Sequence, residues 1–348
     1  MISVIISEIA KKMSEVKASN SAFSVRKNDL WGYKRADDNI FASASTLFIL
    51  QQNSRYLNKE QKVIFEKIES QIQAEFAKYQ NKDGRLTYNF YKTKPSGHFP
   101  NGRCMRRFDH FRLPDDIDDT ALIYLASNYS KEQTVWLKNH LAEFTDQYRG
   151  SKNDKIYSTW FGKNMPKEQD VCALLNMMYL FFKQQILLDQ TDQNTLEFIS
   201  NSVNDITKNP FHIARHYGHP ALIIYHYARF MADFSFPELD KRKPELIRIS
   251  KDLLTKEKSV LFRMLLETAL LKFGEKRNKI DVDLNPEKQF YSFIGAPFAP
   301  FQNPATRLIA KNQWSQIFWK SEIHELALRI EYLCLVKTQI PVENQNIK

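Results

Sequence analysis

The stretch Leu113-Pro114-Asp115-Asp116-Ile117-Asp118-Asp119-Thr120-Ala121-Leu122-Ile123-Tyr124-Leu125-Ala126 passes within a few residues from four carboxylates to an unbroken apolar run. A proline followed by acidic residues reads as a helix start, and a helix that is apolar on every side is a buried one. The acids therefore sit at a helix mouth, where unpaired amide donors and the positive end of the helix dipole favour negative charge. Capping needs one or two of them. Four like charges crowded in a poorly solvated place repel each other, and repulsion together with desolvation pushes at least one carboxyl towards its protonated form.

Outward from this helix the chain repeats the same kind of unit, a polar opening followed by small and apolar residues. One unit runs from Asp37 and Asp38 to Leu47, another from Asp170 through Cys172 and Asn176 to Leu180, another from His219 to Tyr227, and a last one from Ser321 to Ile330. Through the Asp116, Asp170 and His219 units the interval from one start to the next is about fifty residues, the length of a helical hairpin with its loops. Between the units lie more polar amphipathic segments, at Lys59 to Lys78, Lys131 to Tyr148, Asp192 to Ile206 and Pro244 to Leu254. Apolar helices alternating with amphipathic ones predict an all-α chain, a single α/α toroid in which helical hairpins form a barrel with the polar helix starts gathered at one mouth. No linker-like segment divides the chain, so residues 1–348 are expected to form one domain with a polar tail at 338–348.

The composition agrees. Hydrophobic residues make up 43% of the 348 residues and aromatics 13%, and only 9 glycines and 13 prolines interrupt them, which favours long helices. A formal charge of +10 suits anionic partners, but the lysines and arginines are scattered rather than striped with aromatics, which argues against nucleic acid. Three widely spaced cysteines, Cys104, Cys172 and Cys334, are too few for a disulfide framework and point to a reducing, cytoplasmic setting. The first residues, Met1 to Lys12, break into an amphipathic pattern at Glu8 and read as a surface helix rather than a leader. Nothing reaches the roughly 20 apolar residues of a membrane span. Peripheral contact with a membrane surface stays open.

Two loops stand out. Tyr88 to Arg112 carries Arg103, Arg107 and His110 into the acidic cluster, where forked guanidinium bonds could hold an anionic substrate group or neutralise the aspartates. Phe290 to Phe301 is aromatic with Gly295, Pro297 and Pro300 and reads as an irregular lid or cavity wall. The other substrate-facing candidates are Asp38, Asn176, Tyr217 and His219 at or near the unit starts. His216 and His226 read as hydrogen-bonded structural residues.

Asp116-Ile117-Asp118-Asp119-Thr120-Ala121 resembles the Asp-x-Asp-Asp-Thr-Ala motif of class II terpenoid cyclases, whose domains are α/α toroids. The resemblance implies that Asp118 protonates an alkene or epoxide, with Asp116 and Asp119 as supporting carboxylates, on an apolar substrate or one with an anionic group, and with no cofactor. Asp170 and Cys172 followed by His219 are similar to the zinc-ligand pattern of protein prenyltransferase β subunits, also toroids, which implies zinc with one position open to a substrate thiol. Asp115-Asp116-Ile117-Asp118-Asp119 is also similar to the Asp-Asp-x-x-Asp motif of class I prenyl synthases, which implies magnesium and diphosphate. Toroids also host glycosidases and lyases that use paired acids, for which Asp38 with Asp118 or Asp119 is the candidate pair. A toroid whose aspartates only cap helices would be a binding or scaffold protein. The expected function is an isoprenoid-processing enzyme started by acid.

Overall fold

The structure, a computed structural model, describes residues 1–16, 24–94, 113–148, 150–161, 167–276, 281–296 and 304–339. Eleven helices of more than two turns carry the fold: α1 (Ile2–Glu15), α2 (Ile40–Asn53), α3 (Lys59–Phe76), α4 (Ile117–Leu125), α5 (Lys131–Leu141), α6 (Val171–Lys183), α7 (Gln190–Ser202), α8 (Pro220–Asp233), α9 (Lys243–Leu254), α10 (Val260–Lys272) and α11 (Glu322–Gln339).

They divide by burial, and α2, α4, α6, α8 and α11 fall on the five units of the repeat, while α10 is an inner helix that the repeat does not mark. Every residue of α4, and every residue of α6 from Val171 to Phe181, is buried, and α2, α8, α10 and α11 are buried along most of their length. These six helices pack in a closed cycle, α2 on α4, α4 on α6, α6 on α8, α8 on α10, α10 on α11 and α11 back on α2. The more polar helices lie against them, α3 on α2, α7 on α6, α9 on α10, and α1 on both α11 and α3. The outer helices α3, α5 and α7 carry reciprocal capping boxes, Asn58 with Gln61, Ser130 with Gln133 and Asp189 with Asp192. A short, half-solvated helix gains little from burial and depends more on its own caps. The inner helices are held by burial.

The chain is predominantly helical but not all-α. Strands β1 (Ser24–Asn28), β2 (Tyr33–Asp37), β5 (Phe293–Gly295) and β6 (Ile317–Lys320) form an antiparallel sheet in the order β2-β1-β6-β5. Strands β3 (Thr145–Tyr148) and β4 (Ser151–Tyr157) form a separate hairpin that packs on α7. The expected helix from Lys131 to Tyr148 thus ends at Leu141, and the aromatic loop contains a strand. These strands are short, and β1 and β2 carry Arg26, Lys27, Lys34 and Arg35, so no hydrophobic period of two marks them. Arg26 faces Arg35 across the pair, and its charge is met by Asp37 at 2.8 Å. The expected tail begins later than 338, because α11 continues to Gln339. Among the described residues no helix is long and apolar enough to cross a membrane.

One buried ion pair fastens the outer layer. The Lys138 ammonium of α5 meets Asp192 of α7 and donates to Leu187 O at 2.7 Å, while Asp192 also accepts from Tyr157 Oη at 3.1 Å. Removing the cation strands a carboxylate that has no solvent exposure, a change that costs about 3 kcal/mol or more. Lys138→Ala is therefore expected to lower the urea midpoint by that equivalent, and Lys138→Met with Asp192→Leu to recover most of it. An unchanged midpoint in the single variant would refute the role.

Candidate functional site

The start of α4 is fixed from three sides before its carboxylates are considered. Asp116 N donates to Tyr88 O and Ile117 N to Thr159 O, and Asp116 caps the helix by accepting from Asp119 N at 2.8 Å. Asp115 accepts from Asn81 Nδ2 and Thr87 Oγ1, each at 2.6 Å, which makes it a loop anchor. Asp116, Asp118 and Asp119 are all buried.

Asp118 is held at both oxygens. Oδ1 accepts from Asn176 Nδ2 at 2.6 Å and Oδ2 from Tyr217 Oη at 2.5 Å. Asn176 Oδ1 in turn accepts from Arg229 Nη2, and the guanidinium lies over the rings of Phe48 and Tyr225. Burial raises the Asp118 carboxyl, while Tyr217, Asn176 and Arg229 pull it back. Asp119 has no such support. Its Oδ1 is buried without a hydrogen-bond partner among the described residues, and burial followed by the Asp116 charge pushes its carboxyl well above the ordinary range. Burial also pushes Asp116 up to about 7, against hydrogen bonds from Asp119 that favour its charged form. Burial and the neighbouring like charge thus push both carboxyls of the pair toward their protonated forms.

Asp170 stands at the start of α6. Its Oδ1 caps the helix through Cys172 N at 2.9 Å, and its Oδ2 accepts from His216 N, also at 2.9 Å. Burial lifts its carboxyl to about 6. His216 lies between acids, with Nε2 3.0 Å from Glu168 Oε1 and Nδ1 3.2 Å from Ile294 O. Burial opposes its charge, but Glu168 and Asp170 outweigh that and raise the imidazole to about 9. Nδ1 then donates to Ile294 O, and Nε2 faces Glu168 as an ion pair. Arg215 and Trp160 also donate to Glu168, and the net effect of His216 and these donors, against burial, is a lowered Glu168 carboxyl.

The helix starts meet at one mouth. Phe41 near the start of α2 contacts Tyr217 and His324 edge-on, and His324 near the start of α11 bonds Ser292 at 2.7 Å. The β2-β1-β6-β5 sheet is seated here. Phe293 of β5 stacks on His216 with ring centroids 5.1 Å apart and tilts against Phe41. Trp319 of β6 donates to Asp37 at 2.7 Å and lies flat over Gly295, where a Cβ would come within 2.5 Å of its ring. Only glycine fits there.

The sequence candidates divide accordingly. Asp116, Asp118, Asp119, Asn176 and Tyr217 come together. Asp38 is partly exposed and held by Tyr79 Oη and Lys92 Nζ, while its neighbour Asp37 is the buried acid. Arg103, Arg107 and His110 lie outside the described residues. The zinc set does not assemble: Asp170 is spent on backbone amides, Cys172 is buried with its thiol pushed well up by burial, and His219 caps α8 through Ala221 N, stacks on Phe262 and faces Glu257 at 3.3 Å. Among the described residues no group of three or more His, Cys, Asp or Glu side chains is placed to hold a metal ion. Reasoning from sequence passed over Glu168 and Arg229 and took His216 as structural. Arg229 alone left a signal, as the one cation within the otherwise apolar Ala221 to Phe230.

Comparison with family models, with curated proteins and with solved structures finds no match for this chain.

The raised carboxyls and the raised histidine give opposite pH signatures to a carboxylate that is stabilised by pairing. A group whose folded pKa exceeds its unfolded value binds more protons in the fold, so its stabilisation is complete below the unfolded pKa and is lost as pH climbs through the folded one. For Asp116 the loss runs from about pH 4 to 7 and for His216 from about 6.5 to 9; the raised Asp119 carboxyl acts in the same sense. Asp119→Asn is expected to flatten the fall of the denaturation midpoint as pH rises above about 4, making the variant more stable than wild type at about pH 8. His216→Gln should remove the alkaline limb. Parallel pH profiles for wild type and Asp119→Asn would show that Asp119 ionises normally.

Proposed function

We propose that the closed ring of six inner helices is an α/α toroid, and that the chain is an acid-initiated isoprenoid-processing enzyme in which the Asp116–Asp119 pair supplies the proton. The toroid reading is supported by the cyclic packing and by helix starts that share one mouth. The observation that carries the activity is the buried Asp119 Oδ1, without a hydrogen-bond partner among the described residues, set one residue from an Asp118 whose two oxygens are both engaged. The cyclase resemblance implies Asp118 as donor. In this reading the role passes to Asp119, whose carboxyl is raised well above the ordinary range, and Asp118 is the fixed carboxylate beside it.

Protonation forms a C–H bond at one alkene carbon from the acid's proton and the π pair, and leaves a cation at the other carbon and a carboxylate on the pair. Such a step asks for a donor held out of water. The faces of Phe41, Tyr217 and Phe293 suit the cation that results, and loss of a proton at the end of the cascade recharges the acid. No cofactor enters, and the free, buried thiols of Cys172 and Cys334 fit a cytoplasmic setting.

A second reading, a non-catalytic binding or scaffold toroid, is favoured by one observation: Phe293 sits on the mouth in contact with His216, Phe41 and Tyr217. The two separate on product formation. Incubated with linear isoprenoid diphosphates, alcohols and hydrocarbons, the wild type is expected to give cyclised or isomerised products, and Asp119→Asn to lower the rate about 100-fold or more, the scale of general acid catalysis. No product from any of the three classes with the wild type would sink the enzyme reading and leave the scaffold.

A further inference from the structure

The edge of the sheet farthest from β5 ends in a corner that the mouth chemistry does not use. The β1–β2 turn, Asp29-Leu30-Trp31-Gly32, puts Leu30 67% and Trp31 56% exposed, and Gly32 closes it with a φ of 62°. Beside it, Gln313–Ser315 presents Trp314 at 47%, and the preceding short helix Pro304–Ala310 presents Leu308 at 70%. Asn28 ties the two turns together. Its Nδ2 donates to Gln313 O and Gln316 O, each at 2.7 Å, and its Oδ1 accepts from Leu30 N. The apolar side chains are therefore displayed by a buried, fully bonded asparagine, not by a loose loop.

Around them the charge has one sign. Lys34 and Arg35 on β2 and Lys311 are exposed, and none of the three has an acidic partner at ion-pair distance among the described residues. The one acid in the turn, Asp29, is met by Lys27 at 2.7 Å. Two tryptophans and two leucines ringed by unpaired cations match an anionic bilayer surface, where indole rings settle at the headgroup level and basic side chains meet lipid phosphates. A second copy of this chain is a poor occupant, because it would bring the same cations face to face on molecules that each carry a formal +10.

We propose that the Leu30–Trp31 and Trp314 turns form a peripheral docking corner for membranes with anionic headgroups. Docking there lays the sheet that covers the mouth alongside the bilayer. The proposal stands on this corner alone and does not depend on the reaction at Asp119.

Flotation of the full chain with vesicles of phosphatidylcholine alone, and of phosphatidylcholine with phosphatidylserine, tests it. The wild type is expected to float with the anionic vesicles at least 10-fold more than with neutral ones at low salt, and to be released by high salt. Trp31→Ser with Trp314→Ser should lose most of the binding at either salt, and Lys34→Glu with Arg35→Glu should lose the preference for anionic lipid. Far-ultraviolet circular dichroism melting unchanged in both variants confirms that these exposed changes leave the fold intact. Failure of the wild type to bind anionic vesicles would overturn the proposal, as would unchanged binding by the double tryptophan variant. So would a concentration-dependent dimer abolished by that variant in a chain that binds no vesicles, which would assign the corner to protein contact.

Discussion

The line from Tyr217 and Asp118 through Asn176 to Arg229 is the constraint on which the ring depends. It joins three successive inner helices, α4, α6 and α8, with one carboxylate, one amide and one guanidinium. A lone buried carboxylate would be driven to its neutral form and a lone buried guanidinium would carry a large desolvation cost. Here each group supplies what the next lacks, and the Asn176 carboxamide suits its task because it donates to the acid through Nδ2 and accepts from the cation through Oδ1. An apolar ring of helices could slide in register. Fixing one bond in each of two interfaces removes that freedom, much as a single polar residue sets register in a coiled coil.

The sheet is tied to the same ring through a second acid. Asp37 accepts from Trp319, Arg26 and Asn39, and Asn39 is the cap of α2. The sheet is thereby coupled to the start of an inner helix, while β5 is coupled to the His216 segment by Ile294 N donating to His216 O at 2.7 Å. Cover and ring are one packed unit at the mouth. Any opening of the mouth has to break the Phe293–His216 stack and this strand-like bond together, which makes the cover a cooperative element rather than a single swinging side chain.

Much of this was legible in the chain. The polar openings at Asn39, Asp116, Asp170, His219 and Ser321 mark inner helices because a buried helix needs a cap and an apolar surface all round, and both leave local traces. The outer helices follow from their amphipathic period. The sheet was not legible, because its strands are three to five residues long and their charged positions are matched across the sheet, Arg26 by Asp37 on the paired strand and Asp37 by Trp319 of β6. Within the mouth, Asp118 with Asn176 and Tyr217 could be proposed from their places at unit starts. That Asp37 rather than Asp38 would turn inward depends on Trp319, some 282 positions away, and no local pattern carries that. His216 and Glu168 escaped for the same reason, since neither lies on an inner helix and only the packed loops bring them together.

The charges at the mouth are matched unevenly. Glu168 is matched by His216 and Arg215, and Asp118 is balanced by Arg229 across Asn176. Asp170 shares the field of His216. Among the described residues no lysine, arginine or histidine stands at ion-pair distance from Asp116 or Asp119, and Asp116 accepts from the Asp119 amide. Amides at a helix start stabilise one charge partially, and burial with two like charges side by side raises both carboxyls. A lysine or arginine brought next to Asp119 would lower its carboxyl, whereas Arg229 acts on Asp118 across Asn176.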